Sequence, residues 1–191
     1  MAVKVSSAKE NENRVSFKLD GMSIEFANML RRYCISSVPV FAITAVTFYD
    51  NTSSLFDEYL AHRLALLPVL TPSKVPKESE VVFTLDEHGP KVVCSGDLKS
   101  SDKEISMAKD RIPVITLTEK QSLRFEGKAV LGTAKTHAKF QSGIASYEEK
   151  DEKFDFYVES CFQMSGKELV LRACDSIEDD LKELQKAIKK A

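Results

Sequence analysis

Residues 23–38 read S-I-E-F-A-N-M-L-R-R-Y-C-I-S-S-V, and this stretch constrains how the rest of the chain can fold. Ser23 can cap the start of a helix, and Pro39 blocks its continuation. At 3.6 residues per turn, apolar side chains cover roughly two-thirds of the helix circumference, far more than the ~100° stripe of an ordinary surface helix. Such a helix must be covered on two sides. One cover can be its own domain, and the second must be another element, for which another chain is a candidate.

Alternation of apolar and polar residues predicts strands on both sides of this helix. They lie at residues 3–5 and 15–19 before it, and at 40–49 and 154–162 after it. The end of the chain predicts a second helix from Ser176, with acidic residues in its first turn and lysines in its last turn. Its apolar residues recur at steps of four, three and four, which is typical of a heptad-like seam. They are Ile177, Leu181, Leu184 and Ile188.

The middle of the chain has a different character. Ser54 followed by Asp57 is typical of a capping box and predicts a short helix that Pro68 ends. The covered face of this helix is expected to contain Tyr59, Leu60, Arg63, Leu64 and Leu67. Short strands follow at residues 81–85, 91–95, 113–117 and 122–130.

These patterns together predict an α+β fold in which one domain interrupts another. Residues 51–149 are interpreted as an inserted, mostly β α+β domain. Residues 1–50 and 150–191 then form the two parts of a discontinuous domain, which consists of a sheet and two long helices.

Balanced charge argues against a chain that binds nucleic acid alone. The sequence has 27 Lys and Arg residues against 29 Asp and Glu residues, a formal net charge of −2. Phosphate binding normally needs a basic excess. No apolar run approaches the ~20 residues that span a bilayer, and the N-terminus has no signal-peptide core. We therefore expect a soluble, cytoplasmic protein without membrane contact.

Few residues suggest catalysis or metal binding. Glu58 and His62 are one helical turn apart, which can mimic an acid–base or metal-binding pair, but no H-E-x-x-H motif accompanies them. Local support of the helix is the simpler interpretation, and a small enzyme that uses this pair is kept as a hypothesis. No C-x-x-C motif occurs, so the cysteines are expected to be reduced, mostly buried thiols without a metal or iron–sulfur cluster. They are Cys34, Cys94, Cys161 and Cys174.

Four stretches together resemble the alpha-like subunits of RNA polymerase. They are F-A-N-M-L-R-R-Y-C-I-S-S-V-P at 26–39, D-E-Y-L-A-H-R-L-A-L-L-P at 57–68, H-A-K-F at 137–140 and F-Y-V-E-S at 156–160. They occur in family order, and with the helix that follows the last stretch the resemblance extends from about residue 15 to the C-terminus. The family includes the larger alpha-like chain of archaeal DNA-directed RNA polymerase and the third-largest subunit of eukaryotic RNA polymerase II. The N-terminal part of bacterial alpha is similar more distantly.

The resemblance implies a non-catalytic assembly subunit of DNA-directed RNA polymerase with a discontinuous dimerisation domain. The partners would be subunit L, then the small subunits N and P, then the two large catalytic subunits, and DNA and RNA would be contacted only through the complex. The alternative is an adaptor that pairs with itself, as bacterial alpha does. The predicted dimer interface consists of Phe26, Met29, Leu30, Tyr33, Ile177, Leu181, Leu184 and Ile188.

The family also implies a surface that docks the large subunits. In the family, the pair Arg31 and Arg32 lies at the end where those subunits bind. Because Arg32 lies on the polar strip of its helix, we expect it to form an ion pair with a large subunit. The resemblance further implies that Glu58, His62 and Arg63 dock the second-largest subunit.

Two other segments are predicted to have minor roles. The basic region at residues 128–139 is either a solvated loop or a contact with an acidic neighbouring surface. Many archaeal relatives carry a cysteine-rich module, but here the connector at 69–80 passes through the matching region. We therefore expect that the module is missing and that no cofactor is bound.

Overall fold

A computed structural model describes residues 3–76, 78–151 and 153–190 of the chain. In chain order, the elements are β1 (Lys4–Asn11), β2 (Arg14–Asp20), α1 (Ile24–Ser36), β3 (Val40–Asn51), α2 (Asp57–Ala65), β4 (Glu80–His88), β5 (Lys91–Cys94), β6 (Lys99–Ser100), β7 (Pro113–Leu117), β8 (Ser122–Gly132), β9 (Gly143–Lys150), β10 (Lys153–Ser160) and α3 (Gly166–Lys190). All strand pairings are antiparallel, and the predicted α+β class is confirmed.

The chain divides into two compact units. One combines the segment that ends at Pro39 with the segment that begins at Thr133, and the other is Val40–Gly132. The sequence pattern placed the boundaries at residues 50/51 and 149/150 instead. Strand β3 therefore belongs to the inserted unit because it pairs with β8, and β9 belongs to the discontinuous unit because it pairs with β10.

The discontinuous unit contains a four-stranded sheet in the order β1-β2-β10-β9. Phe17 of β2 lies opposite Phe156 of β10, and their rings stack with centroids 5.3 Å apart. The predicted alternation buries Phe154, Phe156 and Val158 on one face, against which α1 and α3 pack. Phe162, the last residue of the strand predicted at 154–162, is 38% exposed instead, because its backbone has left the strand and has a φ of +72°.

Helix α3 is 25 residues long and begins at Gly166, so the predicted start at Ser176 was wrong. The hydroxyl oxygen of Ser165 accepts a hydrogen bond from the backbone N–H of Glu168, 3.2 Å away, which satisfies a free donor of the first turn. Glycine is required at position 166 because a Cβ there would lie 2.8 Å from the backbone of β2 and the preceding turn. Leu169, Ala173 and Ile177 then bury one face at steps of four residues.

The inserted unit contains a second four-stranded sheet in the order β3-β8-β4-β6, and a two-stranded sheet of β5 and β7. Its own hydrophobic core includes the fully buried rings of Phe41, Phe83 and Phe125. Helix α2 adds Leu60 and Leu64 to this core. The unit can therefore bury apolar surface independently of the rest of the chain.

The start of α2 differs from the prediction. Its N-cap is Phe56, whose side chain makes no capping hydrogen bond, so Ser54 does not cap this helix. Instead, the side-chain amide of Asn51 donates to the carboxylate of Asp57 at 2.7 Å and to the carbonyl oxygen of Leu55 at 3.0 Å. Among the helices within the described ranges, none combines the length and the apolar content that crossing a bilayer requires.

Candidate subunit-docking surfaces

Helix α3 changes character after Ile177. Up to that residue it buries an apolar face in the discontinuous unit, whereas every described residue from 178 to 190 is exposed. Three large apolar side chains lie within this exposed half, at steps of three and four residues. They are Leu181, Leu184 and Ile188, with 54%, 56% and 67% of their surface exposed, and they are termed the α3 ridge. An exposed apolar row of this kind is typical of a surface that binds another protein chain.

Helix α1 presents a smaller apolar surface. Ala27, Leu30 and Cys34 form its buried face, while Ile24 is 47% exposed and Phe26 is 42% exposed. Met29 and Tyr33, the other α1 residues of the predicted dimer interface, are half-buried.

Two residues of the predicted dimer interface do not lie on the surface. Leu30 is only 4% exposed and Ile177 only 5% exposed, because α1 and α3 pack against each other and against the sheet. The prediction that they face a partner is therefore corrected, and both residues belong to the core of the discontinuous unit. Phe26, Met29, Tyr33 and the α3 ridge keep exposed surface, and their role in pairing stays a prediction.

A polar cluster joins α1 to the exposed half of α3. The hydroxyl of Tyr33 donates a hydrogen bond of 2.6 Å to Oδ2 of Asp180. The ammonium of Lys135 lies 3.9 Å from the same carboxylate oxygen and 5.3 Å from the centre of the Tyr33 ring. The hydrogen bond to Asp180 raises the pKa of the Tyr33 phenol, so the hydroxyl keeps its proton and acts as donor at neutral pH.

The two predicted docking arginines of α1 have different surroundings. Arg31 is half-buried, and its Nε and Nη2 donate to the side-chain oxygen of Asn28 at 3.2 and 2.8 Å. Arg32 is exposed. Its guanidinium is therefore accessible to a carboxylate of another chain, in agreement with its position on the polar strip. The ion pair with a large subunit stays a prediction.

In the inserted unit, α2 has apolar residues on two faces. Leu60, Leu64 and Leu67 are buried. Tyr59 is 66% exposed, so its predicted place on the covered face was wrong. Phe56, Tyr59 and Leu66, at 72%, 66% and 58% exposure, are termed the α2 outer face.

The predicted polar docking residues of α2 are exposed as well. Glu58, His62 and Arg63 all lie on the surface of the inserted unit. Arg63 was also expected on the covered face, but its guanidinium instead donates a hydrogen bond of 2.8 Å to the carbonyl oxygen of Pro113. Phe56 and Leu66 were missed as surface residues. Helical spacing could have identified Leu66, because it falls about 200° around the helix from Leu64.

No metal-binding cluster is found in the part of the chain that the structure describes. Its residues contain no group of three or more His, Cys, Asp or Glu side chains placed to hold a metal ion, and Glu58 and His62 stand in the open on α2. The four cysteines are free thiols, of which one is buried, two are half-buried and Cys174 is exposed. Burial raises the pKa of the Cys34 thiol to about 12, which makes it a poor metal ligand.

The basic region at 128–139 does not form one surface loop. Lys128 lies in β8 and forms an ion pair of 2.6 Å with Glu80 of β4. His137 accepts a hydrogen bond from the backbone N–H of Lys139, at the start of a single helical turn. Partial burial lowers the pKa of the Lys139 ammonium, which lies 5.4 Å from the centre of the Phe140 ring.

Comparisons with known proteins identify the family. Residues 46–162 match the family model described as the RNA polymerase Rpb3/RpoA insert domain. DNA-directed RNA polymerase subunit Rpo3 of Methanocaldococcus jannaschii is 42% identical over 152 residues, which cover 78% of this chain and 78% of that protein. Rpo3 of Halobacterium salinarum is 30% identical over an alignment of 239 positions, gaps included, which covers 96% of this chain and 96% of that protein.

Other relatives are longer than this chain. Rpo3 of Pyrococcus horikoshii is 41% identical over 152 residues, which cover 76% of this chain but only 59% of that protein. The chain thus spans less than two-thirds of the length of the Pyrococcus relatives that it matches. The resemblance to the alpha-like subunits is confirmed, and the chain belongs to the archaeal Rpo3 family of DNA-directed RNA polymerase subunits.

Proposed function

We propose that this chain is a non-catalytic assembly subunit of an archaeal DNA-directed RNA polymerase, and that it pairs with subunit L through the α3 ridge. The observation that carries this proposal is the exposed half of α3, which follows an ordinary buried half in the same helix. A stretch of this length is marginal as a helix alone in water. Burial of its apolar row by a second chain would supply the missing stabilisation.

Helix α1 would supply the rest of the pairing surface. Phe26 has the exposed area for this role, and Met29 and Tyr33 are half-buried beside the core of the same unit. Apolar side chains spaced three and four residues apart pack against a partner helix with the same spacing, so this surface suits a partner of similar shape. Subunit L is the smaller alpha-like chain, so it is the partner that the family resemblance favours.

The dimer would then serve as a platform for the small subunits N and P and for the two large catalytic subunits. We assign Arg31, Arg32 and the α2 outer face to contact with the large subunits, since exposed aromatic and arginine side chains dominate protein interfaces. Glu58, His62 and Arg63 would form the polar rim around that face.

The chemistry of RNA synthesis would lie on the large subunits. The sequence contains no D-x-D-x-D cluster of the kind that holds catalytic magnesium in polymerases, and no P-loop. In this proposal the chain acts in the cytoplasm, touches DNA and RNA only through the complex, and binds no cofactor. Metal analysis of the purified dimer checks the last point.

Co-expression with an archaeal subunit L, followed by size-exclusion chromatography with light scattering, tests the proposal. A complex with one copy of each chain supports it. A homodimer of this chain that excludes L would favour the self-pairing adaptor, and failure to bind L at all would overturn the proposal. The same measurement on the chain alone shows whether the α3 ridge drives self-association.

A further inference from the structure

The exposed half of α3 is joined to the rest of its unit by few contacts. Within the described ranges, Asp180 is the last residue of α3 whose side chain has a hydrogen bond or ion pair with another element. Beyond it, Lys182 forms ion pairs with Glu178 and Asp179 of the same helix. The α3 ridge begins at the residue that follows Asp180.

Three separate segments meet at this point. Tyr33 comes from α1, Asp180 from α3, and Lys135 from the connection between β8 and β9. The carboxylate of Asp180 receives the Tyr33 hydroxyl and lies near the Lys135 ammonium, which also lies over the Tyr33 ring. Each pair of the three residues is thus in contact, so the cluster fixes the position of Asp180 from two directions.

The position of Asp180 controls where the ridge points. From Asp180 to Ile188 the helix rises about 12 Å, at 1.5 Å per residue. A tilt of about 10° at its base would move Ile188 by about 2 Å over that length. A displacement of this size is enough to misplace an apolar knob against a partner helix, because packed interfaces are complementary at the level of single side chains.

We infer that Tyr33, Lys135 and Asp180 are positioning residues that hold the exposed half of α3 in the direction required for pairing. This inference rests on the proposed function, because it concerns the surface that binds the partner. Preorganisation strengthens binding by reducing the ordering that must occur on association. Tyr33 therefore acts on the partner through Asp180, in addition to any direct contact of its ring.

Amide hydrogen exchange of the free chain tests the inference without any partner. Tyr33→Phe removes only the hydroxyl, and Asp180→Asn removes the charge at nearly constant shape. Both variants should speed exchange in residues 181–190 by about three- to tenfold, the ratio expected for one lost hydrogen bond. Lys135→Ala should act in the same direction. Lys167→Ala, the same substitution at an exposed lysine near the start of α3, is the control and should leave that exchange unchanged.

Binding to subunit L provides the second readout. Tyr33→Phe and Asp180→Asn should each weaken binding by about three- to tenfold, and the double variant should cost less than the sum of the two single variants because both weaken the hydrogen bond between Tyr33 and Asp180. Additive losses, or exchange in 181–190 that matches the parent, would overturn the inference. If the parent chain itself does not bind L, the proposed function fails, while the exchange experiment still decides the positioning role.

Discussion

Substitution of Leu184 gives the sharpest test of the pairing surface. Leu184 is 56% exposed in the isolated chain, so a partner that covers it would gain roughly half of the free energy of burying a leucine side chain. At roughly 1.5–3 kcal/mol for full burial, the part still available is roughly 0.8–1.7 kcal/mol. Leu184→Ala should therefore weaken binding to subunit L by about 4- to 20-fold.

Aspartate at the same position should have a much larger effect. The partner would have to bury an ionised carboxylate without a counter-charge, which costs several kcal/mol in addition to the lost apolar contact. We expect Leu184→Asp to raise the dissociation constant by at least about 100-fold. Isothermal titration calorimetry with purified subunit L measures both variants on one scale.

Leu171→Asp is the matched control for this substitution. Leu171 lies on the same helix and is also 56% exposed, but it projects about 140° around the helix from Leu184. Its variant should bind L like the parent. Urea denaturation of both free variants should show a loss of less than about 1 kcal/mol in the free energy of unfolding, because neither side chain is enclosed. Equal binding by the Leu184→Asp variant and the parent, or equal losses for the two aspartates, would refute the reasoning.

Three further predictions separate core residues from surface residues. Leu30→Ala should lower the free energy of unfolding by about 2–5 kcal/mol in urea denaturation, because the residue is enclosed by its own chain. Leu64→Ala should destabilise by a similar amount, about 2–5 kcal/mol, whereas Tyr59→Ala should keep the stability of the parent and reduce co-purification of the second-largest subunit. The Cys34 pKa, raised from 9.0 to about 12, implies that the unfolded thiol ionises before the folded one. As pH rises above about 9, the free energy of unfolding of the parent should therefore fall relative to that of Cys34→Ala, by up to about 1.4 kcal/mol per pH unit. Urea denaturation at several pH values measures this difference, and the same pH dependence in both proteins would contradict the prediction.

The sequence predicted which helices and strands form better than it predicted the residues at which they begin and end. The start of α1 at Ser23 and the strand alternation of Phe154, Phe156 and Val158 follow from local chemistry, namely a cap and a period of two. The start of α3 was missed because Ser165 and Gly166 look like a turn in sequence. Instead, Ser165 caps the helix and Gly166 begins it. Gly166 lies so close to the backbone of β2 that a Cβ would not fit, and this contact between distant parts of the chain is not visible in the local sequence.

The domain boundaries differ for a related reason. Strand β3 follows α1 directly after Pro39, and nothing in its own residues shows that it pairs with β8 in the inserted unit. Likewise, β9 precedes β10 by a short connection, and only the register from Gly143 opposite Ser160 to Lys150 opposite Lys153 assigns it to the discontinuous unit. Strand partners depend on residues far away in the sequence, so alternation alone cannot choose between them.

The wide apolar arc of residues 23–38 suggested that α1 needs a second cover, for which another chain was a candidate, and the structure shows how much of that cover the chain itself supplies. The chain covers much of α1 itself, since Leu30 and Cys34 are enclosed and Tyr33 is engaged by Asp180. Helix α3 has a narrower apolar face, yet every described residue of its second half is exposed, because this half extends beyond Ile177, the last residue of the helix that the unit buries. Exposure of an apolar row therefore depends less on how apolar a helix is than on how far the helix extends beyond the domain that buries it. In the proposed dimer, the pairing free energy would be concentrated in the α3 ridge, and α1 would serve mainly to fix the base from which that ridge projects.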